Sequence, residues 1–168
     1  MRTADLFGDK TVFSLEVFPP KPECAESVIY DTLSRLSDIR PDFISVTYGA
    51  SGGVNGCRTI QIASDITAKY GTLSAAHLPC IGLTREQAEQ ILDSMRASGI
   101  ENVLALRGDI PEGQEIGGDF RHADELIAFI RERCDFNIIA ACYPETHPES
   151  RSADEDIMHL KNKVDCGA

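Results

Sequence analysis

The feature that most limits how this chain can fold is a repeat. A short apolar run followed by a helical pattern recurs five times along the sequence. The apolar runs at 12–17, 43–46, 73–77, 102–106 and 137–141 read as strands, and 23–37, 57–70, 84–97, 119–133 and 152–164 read as helices. The strands end on average about 31 residues apart, enough for a strand, a helix and two short loops. Such alternation predicts a parallel sheet with right-handed crossovers. The third helix has the clearest signals. Thr84 and Gln87 form a capping box, Ala88, Ile91, Leu92 and Met95 make one apolar stripe, and Gly99 stops it. Ser152 and Glu155 open the fifth helix in the same way, with Ile157, Leu160 and Val164 on one face.

Two α/β architectures are compatible with five such units. One is a (βα)8 barrel of TIM type, with about five of its eight units present. The other is a five-stranded doubly wound parallel sheet. The length of 168 residues favours the open sheet, since a barrel typically takes about 250. The residues that follow the strands favour the barrel. The first strand leads to Glu16 and Phe18-Pro19-Pro20-Lys21, the second to Thr47-Tyr48-Gly49, and the third to His77-Leu78-Pro79-Cys80. The fourth gives Arg107-Gly108-Asp109, and the fifth gives Tyr143-Pro144-Glu145 and His147. A barrel brings all its strand ends to one mouth, so five such groups can serve one site.

Glu16 is the sharpest of these. Strand alternation puts Val12, Ser14, Glu16 and Phe18 on one face and Phe13, Leu15 and Val17 on the other. A carboxylate within an apolar strand would be desolvated, which would raise its pKa and suit it to general acid work; a strand-end Glu that points at solvent is the alternative. Arg107 suits an anionic group, and Gly108 permits close backbone approach to a ligand; an ordinary turn with a surface ion pair is the alternative.

Composition excludes several classes. A net charge of −11 argues against a nucleic-acid or anionic-membrane partner. Hydrophobic residues at 42% with 26% charged argue against disorder. Residues 1–10 lack the apolar core of a signal peptide, and the longest uncharged stretch, 72–84, is too short to span a bilayer. None of the six cysteines forms a C-x-x-C pair, so reduced thiols in the cytoplasm are expected. The glycine-rich stretch 49–56 lacks the Gly-Lys-Ser/Thr ending of a P-loop and reads as a flexible loop. His77, Cys80, Cys142 and His147 match no common zinc spacing, and no metal is expected.

The strings Phe13-Ser14-Leu15-Glu16-Val17-Phe18-Pro19-Pro20-Lys21, Ser45-Val46-Thr47-Tyr48-Gly49-Ala50, His77-Leu78-Pro79-Cys80-Ile81, Leu106-Arg107-Gly108-Asp109, Ala141-Cys142-Tyr143-Pro144-Glu145 and Leu160-Lys161-Asn162-Lys163-Val164-Asp165 together resemble the methylenetetrahydrofolate reductase family. They follow the family's order and cover essentially the whole chain. The resemblance implies a single domain over residues 1–168, the N-terminal portion of an FAD-binding βα barrel. It implies reduction of 5,10-methylenetetrahydrofolate to 5-methyltetrahydrofolate, with NADH or NADPH as co-substrate and ping-pong hydride transfer through the flavin. It also implies a cytoplasmic homo-oligomer. By the same resemblance Glu16 is the general acid, and Asp109 is the carboxylate near the flavin and the pterin. Thr47, Tyr48, His77, Arg107, Gly108, Asp109, Ala123, Tyr143, His147, Asp156 and Lys163 fall at flavin-contacting positions. The strand that supplies a folate-binding Gln in the family would follow Ala168. Two rival readings are a non-catalytic fragment or paralogue that binds flavin or a partner chain, and another βα-barrel enzyme such as an aldolase or decarboxylase. The lack of a strand-end lysine counts against the aldolase.

Overall fold

A computed structural model describes residues 1–168 apart from 9, 22, 49–53 and 111–116 and the side chains of 54 and 55. The five strand–helix units are present in order. They are β1 (Ser14–Val17) and α1 (Ser27–Ser37), β2 (Phe43–Val46) and α2 (Val54–Tyr70), β3 (Leu73–Pro79) and α3 (Arg85–Ala97), β4 (Asn102–Leu106) and α4 (Ala123–Arg133), and β5 (Asn137–Ala140) and α5 (Ala153–Asp165). A 3₁₀ turn, Thr3–Leu6, precedes them. The strands form one parallel sheet in the sequential order β1-β2-β3-β4-β5. Both architectures read from the sequence share this parallel α/β sheet, and a sequential order is what successive units of a barrel give.

Strand alternation divides the sheet into two unlike faces. Val17, Ile44, Val46, Ala76, Leu78, Val103, Ala105 and Ile138 are buried in the same core as Leu33, Ile66, Leu92 and Ile127 of the helices. The opposite face carries Glu16, Ser45, His77, Leu104 and Ile139, and register sets Glu16 beside Ser45, and His77, Leu104 and Ile139 in one row. Leu104, Leu106 and Ile139 are only half-buried there.

Local signals explain most of the element ends. Thr84 caps α3 through the expected box, with its Oγ1 accepting from Gln87 N and Gln87 Oε1 accepting from Thr84 N. Gly99 leaves the helix at φ +73°. At α5 only half of the box forms. Ser152 Oγ accepts from Glu155 N, while the Glu155 carboxylate turns to Arg151 N. The stripe of Ile157, Leu160 and Val164 is present, but no residue of α5 is buried. Some boundaries differ from expectation. α1 starts at Ser27; before it, Cys24 N donates to Lys21 O, a bond made outside the helix. α4 starts at Ala123, because Asp119 instead binds the start of α3, its amide donating to Leu83 O and its carboxylate accepting from Arg85 N. Gly56 lies inside α2 and not in a loop; the Tyr48 ring and its hydroxyl occupy the space where a side chain at 56 would sit, so only glycine fits there. The rest of the glycine-rich stretch, 49–53, lies outside the described residues.

Candidate functional site

The C-terminal ends of the strands hold two clusters of polar side chains. The first spans β1 to β3. Glu16 Oε2 lies 3.3 Å from His77 Nε2 and accepts a hydrogen bond of 3.4 Å from Ser45 Oγ. The strands place these groups directly. Glu16 and Ser45 are register partners on one face, and His77 sits on that face of β3, one layer nearer the C-terminal end. The expectation of a desolvated Glu16 is corrected here, because its side chain is 48% exposed while that of His77 is only 12% exposed. His77 is the group that has lost water. Its Nε2 is within ion-pair distance of the carboxylate but is not aligned for a hydrogen bond, and it has no other partner among the described residues. Burial pushes the imidazole below its ordinary value, against the opposing pull of Glu16, so the ring is neutral at neutral pH.

The second cluster spans β4, β5 and α5. Arg107 donates from Nη1 and Nη2 to the two carboxylate oxygens of Glu149, at 2.5 and 2.8 Å, and from Nε to the Gly108 carbonyl at 3.2 Å. The anion expected at Arg107 is thus supplied by the chain itself. Hydrogen bonding by Glu149 holds the guanidinium charged, with Asp109 adding to the effect, and Arg107 in turn holds Glu149 below the usual carboxylate range. Gly108 has φ +89°, and a Cβ there would meet Ile81 Cγ2 at 2.9 Å, so only glycine fits this turn. Tyr143 and His147 pack edge to face with centroids 4.8 Å apart. His147 N donates to Asp156 Oδ2 and Ser150 Oγ to Asp156 Oδ1, bonds that hold the Asp156 carboxyl below its ordinary value. Lys163 Nζ donates to the Ala141 carbonyl at the end of β5. Tyr143, His147, Asp156 and Lys163 are therefore gathered by one loop and the helix after it.

Other expected residues stand apart. Thr47 extends β2, its amide bonded to Val17 O and its carbonyl accepting from Thr59 Oγ1. Tyr48 folds back on α2, and Ala123 is buried in the first turn of α4. Asp109 is exposed next to Arg107. Among the described residues no side-chain hydrogen bond joins these four to either cluster. Cys80, directly after β3, is fully buried, and burial pushes its thiol up to about 11, which makes it inert as a nucleophile. Ser45 and Glu149 are the two site residues that sequence reasoning missed. Ser45 alone left a trace, as the strand neighbour one would pair with Glu16.

Comparison with known proteins fits this arrangement. The family model described as "Methylenetetrahydrofolate reductase" matches residues 2–168. The chain belongs to the methylenetetrahydrofolate reductase family. It is 43% identical over 165 residues to the 5,10-methylenetetrahydrofolate reductase of Pectobacterium carotovorum, covering 98% of this chain and 54% of that protein. The enzyme of the same name from Escherichia coli is 41% identical over 155 residues, covering 92% of this chain and 51% of that one. A plant relative, "Methylenetetrahydrofolate reductase (NADH) 1" of Arabidopsis thaliana, is 37% identical over 174 residues, or 95% of this chain and 29% of its own. The chain thus spans about half the length of its bacterial relatives in this family.

Proposed function

We propose that this chain, as one domain, takes part in the reduction of 5,10-methylenetetrahydrofolate to 5-methyltetrahydrofolate, with FAD as cofactor and NADH or NADPH as donor. One observation carries the reading most of the way: a buried His77 Nε2 with no hydrogen-bond partner among the described residues, beside a half-exposed Glu16 carboxylate, on a sheet face whose neighbours Leu104 and Ile139 are apolar and half-buried. A buried polar atom without a partner is costly unless a ligand completes it. An apolar floor with a polar atom at its edge suits a flat heteroaromatic ring. The residues therefore fit a flavin. Thr47, Tyr48, His77, Arg107, Gly108, Asp109, Ala123, Tyr143, His147, Asp156 and Lys163 would hold it. When bound, it would supply the hydride carrier between nicotinamide and folate.

The chain's own residues account for the proton. Glu16, protonated, gives its proton to the folate nitrogen at which the methylene bridge opens, leaving an iminium that can accept hydride. Ser45 Oγ already donates to Oε2 and stabilises the carboxylate left behind. His77, which burial pushes toward its neutral form, adds little positive charge beside Glu16.

The test uses the longest in-frame form of the protein. Flavin absorbance should remain with the protein through gel filtration, bleach with NADH or NADPH without oxygen, and return on adding 5,10-methylenetetrahydrofolate. A colourless protein, or colour that the folate does not restore, would defeat the proposal.

A further inference from the structure

We propose that Glu149 is a positioning residue that sets Arg107 for its ligand and, through it, fixes the β5–α5 loop against the end of β4. The inference rests on the proposed function only in taking Arg107 and the Tyr143–His147 loop as two sides of one flavin site. The two residues are 42 apart in sequence and joined by a two-bond fork. Such forks set orientation as well as distance. Arg107 is 19% exposed and Glu149 60% exposed, so the arginine is the more fixed partner and the glutamate reaches in from its loop.

The loop end of the link is itself built. Glu149 N donates to His147 Nδ1, Ser150 N donates to His147 O, and His147 N and Ser150 Oγ both donate to Asp156. Movement of Glu149 would therefore carry His147 with it. At the other end, three of the five guanidinium N–H groups are spent, two on Glu149 and one on the Gly108 carbonyl. Two remain for a ligand, and their direction is set by the fork. Glu149 also cancels the local charge of Arg107, so the arginine presents oriented donors instead of a free cation.

The opposite role would be competition, in which Glu149 occupies the place of a ligand anion and leaves when it arrives. The two roles differ in sign. If Glu149 positions Arg107, Glu149→Gln should weaken FAD binding about five- to tenfold, and Glu149→Asp should recover part of it. In a double-mutant cycle with Arg107→Lys the losses should not add. Backbone amides of residues 147–150 should exchange with deuterium faster in Glu149→Gln without FAD, while the urea midpoint stays within error of the parent. Tighter and more salt-sensitive FAD binding by Glu149→Gln would overturn the inference in favour of competition. Unchanged affinity with unchanged exchange would overturn it outright. Faster exchange in a protein whose parent binds no FAD would support the tether and defeat the proposed function instead.

Discussion

The two ends of the sheet carry polar groups in similar number but use them in opposite ways. At the N-terminal end, Asn102 Oδ1 accepts from Thr3 N at 2.8 Å and from Asn137 Nδ2 at 3.1 Å, and Asn102 Nδ2 donates to Ser74 O at 3.0 Å. Asn137 Nδ2 also donates to Thr3 Oγ1. All four residues are buried, and the network pins the N-terminal turn across the strand ends. At the C-terminal end, Glu16 is half-exposed, His77 Nε2 has no hydrogen-bond partner among the described residues, and Arg107 is met by a glutamate from an exposed loop. A closed network stabilises the fold and leaves nothing over for a ligand. An incomplete one costs stability until a ligand completes it. This is the division of labour expected of βα-barrel strand ends, with function at the C-terminal side and stability at the other.

The largest effect should come from the C-terminal end. If Glu16 is the acid proposed above, Glu16→Gln in the longest in-frame form should slow reduction of the folate by about 10²- to 10⁴-fold, because in the proposed reaction only that half needs the proton. Reduction of the flavin by the nicotinamide should be nearly unchanged. Rapid-mixing measurements that show both halves slowed alike would give Glu16 a different role.

At the other end the loss should appear in stability alone. Asn102→Ala leaves Thr3 N and Ser74 O without their partner in a buried setting, which should cost about 2–3 kcal/mol in urea unfolding. FAD affinity at concentrations where the protein is folded should not change. A loss below about 0.5 kcal/mol, the level of ordinary surface substitutions, would mean that the network is not the closed unit described.

The smallest effect is a dependence on pH. His77 is held below its unfolded-state value, so the unfolded chain binds the proton more readily. Its contribution is fully present above about pH 6.5, the ordinary value for histidine, and declines as pH falls below that. Denaturant midpoints should therefore drop as pH falls below about 6.5, and His77→Gln should flatten that drop. An identical slope in the variant would show that His77 does not lose its proton on folding.

Much of the fold was legible because its signals are local. Alternation and helical periodicity located all five units, and the Thr84 box and Gly99 marked both ends of α3. The place of Glu16 on the face opposite Val17 followed from alternation alone, but its exposure did not, since that depends on what covers the face. Pairing across long separations left no local mark. Nothing near Glu149 in sequence singles it out, and Asn102 and Asn137 read only as the first residues of their strands. Thr3 meets Asn137 across 134 positions of sequence. Gly56 was misplaced for a related reason. Glycine normally weakens a helix, and the need for it here comes from the Tyr48 ring packed against it.

The central claim is that the incomplete end is the one a ligand completes. Titrating FAD into isotopically labelled protein, while following the His77 ring and the side-chain amides of Asn102 and Asn137 by NMR, tests it most directly. The account predicts large shifts at the His77 ring, saturating with the flavin, and unmoved amides at Asn102 and Asn137. A silent His77, or shifts centred on the asparagines, would contradict it.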